Sequence, residues 1–310
     1  MAKASNPSGP RAYAGGHFEM AIDGHKTTSF LKSIDGGYPK QKIIEETHGG
    51  EIEKVKHGGT WEVEPLTFDF GLAGSDEVLK WIQGSWRRDW GTRNGEVIHA
   101  DFNMKQTFIQ EFLEAQILET TFPELDGSSK QGAYLKVKFL PQTVILKQKA
   151  GAQLAPLGGI KQKQWLASSF RLNIDGIPDA DKVNKIESFT IKQSVKPFYT
   201  GQDRFPQLVP TAIQYPNLVC TIAEAYAKDL LKWHVENSKG KAEKKSQVGG
   251  SLEFLNAAKK PIFRLNLYQL GLLDYKVMQS TANEDKLKRV RFELFVHKMD
   301  LDGAKGLGLE

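Results

Sequence analysis

The chain has 310 residues, 40% of them hydrophobic and 25% charged, and a net charge of +5. At ~150 residues per domain there is room for two domains, each with its own core. No run approaches the ~18 apolar residues of a membrane-spanning helix, and the single cysteine, Cys220, excludes an internal disulfide framework and any multi-cysteine metal site.

The first sixteen residues form a Gly-rich arm without the apolar stretch of a secretory signal, so the expected setting is the cytosol or a particle assembled there. A basic balance invites a nucleic-acid reading, but its distribution weakens that reading. Residues 1–155 carry 18 Lys and Arg against 20 Asp and Glu, a net −2, whereas residues 156–310 carry 24 against 17, a net +7. Part of that excess lies in the polar segment 238–246, which reads as a solvated loop.

In chain order, residues 17–22 alternate apolar and polar, with Phe18, Met20 and Ile22 on one face of a half-buried strand, and Asp23-Gly24 turns the chain. Residues 42–47 and 51–57 flank His48-Gly49-Gly50 as a hairpin. Gly58-Gly59 reads as a break, after which 60–72 alternates again through Trp61, Val63, Leu66, Phe68 and Phe70. A helix follows, with Ser75 as its cap and Asp76 and Glu77 at the positive end of the dipole. Its apolar stripe is Val78, Trp81, Ile82 and Trp86.

The chain then repeats itself. Phe18-Glu-Met-Ala-Ile22-Asp23-Gly24 recurs as Phe170-Arg-Leu-Asn-Ile174-Asp175-Gly176, at an offset of 152. The same offset pairs Ile34 with Ile186, Lys40-Gln41 with Lys192-Gln193, Leu66 with Leu218, Leu79-Lys-Trp81 with Leu231-Lys-Trp233, and Phe102 with Phe254. Later segments drift to 155, where Tyr134-Leu-Lys-Val-Lys-Phe139 matches Arg289-Val-Arg-Phe-Glu-Leu294. In the second copy a strand over 218–222 precedes a helix bearing Tyr226, Leu230 and Trp233; strands over 252–255, 263–267 and 290–296 complete it. The expected fold is mainly β (α+β), with two tandem small β-barrel or sandwich domains, 17–148 and 167–301, each with one flanking helix. A linker at 149–166 joins them and a tail, 302–310, follows. Phe18, Trp81, Phe170 and Trp233 are the expected core anchors.

Catalytic patterns are absent. The seven histidines show no metal-binding spacing, and no nucleophile elbow, Walker loop or dinucleotide fingerprint occurs. Gly71-Leu-Ala-Gly74 lacks the lysine of a phosphate loop and reads as a strand-to-helix turn. Cys220, mid-strand, reads as a small buried hydrophobe. No catalytic, cofactor-binding or metal-binding residue is expected.

The motif Phe18–Gly24, the segment Ser33-Ile-Asp-Gly-Gly37, the hairpin ending in Thr47-His-Gly-Gly50, the strand 66–72, the helix with Leu79-Lys-Trp81, the segment with Phe122-Pro123 and the strand 134–140 resemble the tail-tube protein of contractile phages. That family is shared by phage tails, contractile injection systems and, more distantly, the type VI secretion tube. The second copy departs from it at Gly176-Ile-Pro-Asp-Ala-Asp-Lys182 and at Pro197-Phe-Tyr-Thr-Gly-Gln-Asp-Arg-Phe-Pro206, which replaces the Gly-rich hairpin. The resemblance implies a small barrel with one helix whose hairpin joins those of neighbours into a channel-forming ring. Ile43, Glu45, Thr47, Glu51, Glu53 and Val55 are then the expected ring and lumen residues. The implied partners are the chain itself, adjacent tube, sheath or baseplate proteins, and DNA or a protein cargo passing without sequence-specific binding, with no membrane insertion. Family rings are sixfold, so three two-domain chains could alternate around one axis; six chains stacked in two layers is the competing arrangement. Other classes that fit the sequence are a monomeric tandem β-domain binding module and a hydrolase with scattered carboxylates.

Overall fold

The computed structural model describes residues 16–26, 31–47, 49–50, 52–71, 76–148, 152–154, 165–202, 205–239, 248–256, 258–279 and 287–302. The expectations placed on Ser75, His48, Glu51, the turn at 72–74, most of the linker and of the 238–246 loop, and nearly all of both tails lie outside these residues.

The first half runs through β1 (His17–Ile22), β2 (His25–Lys26), β3 (Leu31–Gly36), β4 (Pro39–Glu46), β5 (Val55–Val63), β6 (Leu66–Phe70), α1 (Asp76–Trp86), β7 (Arg93–Ala100), β8 (Gln106–Phe122), β9 (Leu125–Asp126), β10 (Leu135–Leu140) and β11 (Thr143–Gln148). The second runs through β12 (Phe170–Ile174), β13 (Lys185–Ile186), β14 (Phe189–Phe198), β15 (Gln207–Gln214), β16 (Leu218–Ala223), α2 (Lys228–Ser238), β17 (Val248–Leu255), β18 (Pro261–Val277) and β19 (Arg289–Asp302). Among the described residues the fold is mainly β with two α-helices, and the sheets are open. The strand order is β2-β1-β7-β8-β10-β6-β3 in the first half and β12-β17-β18-β19-β16-β13-β9 in the second.

The pairing registers of the halves coincide. Phe18 opposes His99 as Phe170 opposes Phe254, and Met20 opposes Val97 as Leu172 opposes Leu252. Phe68 opposes Val137 as Cys220 opposes Phe292, and Lys40 opposes Glu62 as Lys192 opposes Gln214. The offset is 152 up to the helix and 155 beyond it, because the connection from α2 to β17 is three residues longer than that from α1 to β7. His99 and not Phe102 therefore occupies the place of Phe254. Phe102 is exposed in the turn after β7, whereas Phe254 is fully buried. The backbone details repeat too. Asp101 Oδ1 accepts from the N–H groups of Asn103 and Lys105, and Asn256 Oδ1 from those of Ala258 and Lys260. Glu114 and Gln269, equivalent positions in the two long strands, both have left-handed backbone, at φ 51° and 53°. Gly95 and Gly250 are equivalent as well; a Cβ on either would collide with the neighbouring strand's carbonyl oxygen, Ala21 or Asn173.

Several sequence expectations are corrected. Gly58 and Gly59 lie inside β5 and do not end it. A side chain at either would strike Gln41 or Ile44 across the hairpin, next to a register shift between Gln41 and Ile43. The break falls instead at Glu64-Pro65, between β5 and β6, where proline has no N–H for a ladder. The hairpin's second arm starts at Val55, so Glu53 lies in the connection. Tyr226 precedes α2, in a 3-10 turn, and is exposed. Trp165, assigned to the linker, is buried against Phe254 and Phe263, with ring centroids 5.2 and 5.6 Å away. Phe18 and Phe170 are only half-buried, because they sit at the outer ends of β1 and β12; Met20, Ile22, Leu172 and Ile174 fill the core from those strands.

Trp81 and Trp233 hold the same place in equal eleven-residue helices, and both are buried. The Trp81 ring lies 5.3 Å from that of Phe139. Replacing either tryptophan by Ala is expected to cost about 3–5 kcal/mol, measured by denaturant unfolding. A different test comes from His99, which stacks on Phe108 at 4.1 Å as Phe254 stacks on Phe263 at 4.1 Å. Burial lowers the His99 pKa from 6.5 against the opposing hydrogen bond of Gln110. The unfolded chain then binds more protons just below pH 6.5, so stability should fall as pH drops through that value. His99→Phe, copying Phe254, should remove that part of the acid sensitivity in thermal unfolding.

Candidate assembly surfaces

Two kinds of surface stand out: the junction between the halves and the projecting hairpins. The junction is made by strand pairing. The last residues of β8 pair with β14, Phe122 opposite Phe189, Thr121 opposite Thr190, Thr120 opposite Ile191 and Glu119 opposite Lys192. β9 of the first half closes the edge of the second sheet on β13. Phe122 is fully buried and stacks on Phe189 at 4.9 Å and on Phe254 at 5.6 Å, while Trp86 reaches it from α1 at 6.3 Å. Ser188 Oγ donates to the Phe122 carbonyl at 2.8 Å.

Helix α1 seals the same junction from one side. Arg87 donates through Nε and Nη2 to the two carboxylate oxygens of Asp300 on β19, at 2.9 and 2.8 Å. Gln83 Nε2 donates to the Leu301 carbonyl at 2.6 Å, and Ser85 Oγ to Gln193 Oε1. No local motif in the sequence marks Arg87, Asp300, Phe189 or Gln193; the only available signal is the repeat, which shows two like units that must meet somewhere.

Of the sequence-predicted ring residues, β4 and β5 bring Ile43, Glu45 and Val55 into one two-stranded sheet, with Thr47 and Glu53 at its far end. All five are exposed, as are Ile44 and Ile52. Glu45 takes ion pairs from Lys54 at 3.2 Å and Lys56 at 3.4 Å, and Lys42 pairs with Glu62. The equivalent hairpin, β14–β15, is paired to β8 at its base and exposes Phe198, Tyr199 and Val209 further out.

The chemistry of the interior is quiet. Cys220 is a free, fully buried thiol, and burial, helped by the negative charge of Glu187, pushes its pKa far up, so it is held protonated. Among the described residues no group of three His, Cys, Asp or Glu side chains is placed to hold a metal ion. Among the same residues no helix is long and apolar enough to cross a membrane.

No protein-family model and no curated protein matches the chain. Solved structures resemble part of it. A chain of the anti-feeding prophage cap, described as a tube-terminating cap, is 12% identical with a TM-score of 0.39, over 47% of this chain and 98% of that one. A chain of the PVC extracellular contractile injection system, from its extended sheath–tube complex, is 17% identical with a TM-score of 0.38, over 43% and 88%. Hcp1 from Flavobacterium johnsoniae is 13% identical with a TM-score of 0.27, over 43% and 94%.

The junction's energy should come mainly from its aromatic stack. Phe122→Ala is expected to cost about 3–5 kcal/mol. Arg87→Ala, which removes a half-exposed ion pair, should cost about 1 kcal/mol or less. Denaturation midpoints of the two variants check this order.

Proposed function

We propose that the chain is a structural subunit of a tube, or of a tube-terminal or adaptor ring, in a phage-tail-like or contractile injection particle. In this reading it comprises two tandem tube-like domains, 17–148 and 167–301. Three chains close a ring of six such units around a channel, and DNA or a protein passes through without sequence-specific binding. The observation that carries the reading is the way the halves meet. Two units with the same strand registers are joined head to tail, through β8 of one and β14 of the other, and not through like surfaces. Head-to-tail contact between equivalent units leaves one joining surface unused at each end, and successive contacts of that kind close into rings when the rotation allows. The resemblance of the first half to tail-tube proteins supplies the sixfold count.

The exposed β4–β5 hairpin supports a place for Ile43, Glu45, Thr47, Glu51, Glu53 and Val55 at the ring. An isolated two-stranded hairpin is marginal in water, and its bare isoleucines call for neighbours. The carboxylates and lysines between them suit an aqueous lumen. Adjacent tube, sheath or baseplate proteins would stack on the ring's two faces.

Native mass spectrometry of the smallest assembly tests the proposal. Three chains of 34.7 kDa, about 104 kDa together, are expected. Six chains would replace the alternating ring with stacked layers, and a persistent monomer would favour a binding module.

A further inference from the structure

We infer that one chain joins the next by repeating its internal junction: the β18–α2 surface of the second half docks on the β4–β11 surface of the first half of another copy. This rests on the ring reading and gives that ring its contact. The repeat fixes which residues meet. Glu119–Phe122 of β8 correspond to Asp274–Val277 of β18, and Phe189–Lys192 of β14 correspond to Gly37–Lys40. Residues 119–122 have β14 on one side, and 119–121 of them have β10 on the other. Residues 274–277 have β19 on one side, and no described strand pairs with the other. The open edge is apolar where it should be wet. Val277, in the place of buried Phe122, is 54% exposed, and Leu273 and Met278 beside it are exposed as well.

The flanking helix tells the same story. Leu79 of α1 is buried, but its equivalent on α2, Leu231, is 45% exposed. His234 of α2 stacks on Tyr275 at 5.9 Å, so helix and strand edge form one continuous surface.

The opposite surface has changed to match. Inside the chain, Gln83 of α1 and Arg87, the residue after that helix, bind the Leu301 carbonyl and Asp300 of β19. The equivalent positions are Val235 of α2 and Lys239 just after it, and the equivalent strand positions are Leu146 and Ile145 of β11. Val235, Ile145 and Leu146 are all exposed. At the chain's ends Val235 and Leu146 thus stand where Gln83 meets Leu301, and Lys239 and Ile145 where Arg87 meets Asp300. The ion pair and the side-chain hydrogen bond of the internal junction have no counterpart there, and apolar side chains take three of the four places. The cross-strand charge pair survives: Glu119 opposite Lys192 becomes Asp274 opposite Lys40. Ser85 with Gln193 becomes Asn237 with Gln41, two amides that can bond each other. Pro39 stands at the place of Ile191 and has no N–H, so the ladder across the proposed contact has one donor fewer than the internal one.

Disulfide trapping tests the contact on the full chain. Thr121 and Thr190 face each other in the internal junction, with their hydroxyls 2.9 Å apart. Tyr38 and Lys276 are their counterparts across the proposed one, and both are exposed. The chain carrying Tyr38→Cys and Lys276→Cys should cross-link on oxidation into a covalent series that stops at three, while buried Cys220 stays out of reach. Thr121→Cys with Thr190→Cys should give a bond within one chain and calibrates the geometry. Rings that assemble without cross-linking would overturn this junction and leave the ring reading standing. Cross-linking that runs on into open polymers would keep the junction and overturn the ring. A chain that stays monomeric and uncross-linked at high concentration overturns both. In the otherwise native chain, Val235→Asp should abolish assembly and Leu146→Lys, added to it, should restore it; assembly indifferent to both would also overturn the contact.

Discussion

Strand β8 is hydrogen-bonded to four other strands, and most of the molecule is arranged by that fact. Its first ten residues carry β7 on one side and β11 on the other; its last seven carry β10, and then β14 from the second half. A flat strand could not serve both sets, because successive side chains alternate faces and a sheet twists continuously. The chain changes direction at Glu114, whose left-handed backbone is held by the Asn94 side chain accepting from its N–H at 2.8 Å. β18 bends at Gln269, the equivalent residue, and so presents its own last residues to whatever lies beyond the second half.

Because β8 reaches across, the halves share one apolar interior. Phe122 touches rings from both, and the buried residues of the two sheets form a single cluster. Several aromatic contacts of this kind outweigh the half-exposed ion pairs at the rim, since each buried ring contributes kilocalories and each exposed pair a fraction of one. Arg87 with Asp300 at the rim and Ser85 with Gln193 in the interior add directional contacts to the register that the β8–β14 ladder defines.

Much of the fold was legible in the sequence because its signals were local and occurred twice. The alternation of Leu66, Phe68 and Phe70, the helical stripe ending in Trp86, and the repeat at 152 and then 155 each correspond to observed elements. What escaped was set at a distance. Gly58 and Gly59 look like punctuation until Gln41 and Ile44 are seen pressing on them. Trp165 lies in a stretch of linker composition, and only the second sheet's Phe254 and Phe263 make it core. Phe102 matches Phe254 by count, but a connection three residues longer in the second half moves the correspondence to His99. The joining surfaces were the least legible, since pairing between β8 and β14 depends on how two units sit side by side and no single segment records it.

The junction within the chain and the proposed junction between chains would differ in how each is held together. Inside the chain both surfaces belong to one polypeptide, so their junction does not bear the entropy of bringing two molecules together. It can be sealed by polar groups such as Gln83 and Arg87 and still remain closed. A junction between separate chains must also offset the lost translational and rotational freedom of association, about 4–15 kcal/mol. Apolar area is the most general source of that free energy, at roughly 25 cal/mol for each Å² removed from water. Val235, Leu231 and Val277 of the second half and Ile145 and Leu146 of the first are exposed, and in the proposed contact they would supply that area. In a ring of single units every contact must do the same job, and no such division could arise. Under the proposed ring, fusing two units would let the contact within the chain and the contact between chains differ, as Gln83 and Val235 do at equivalent positions.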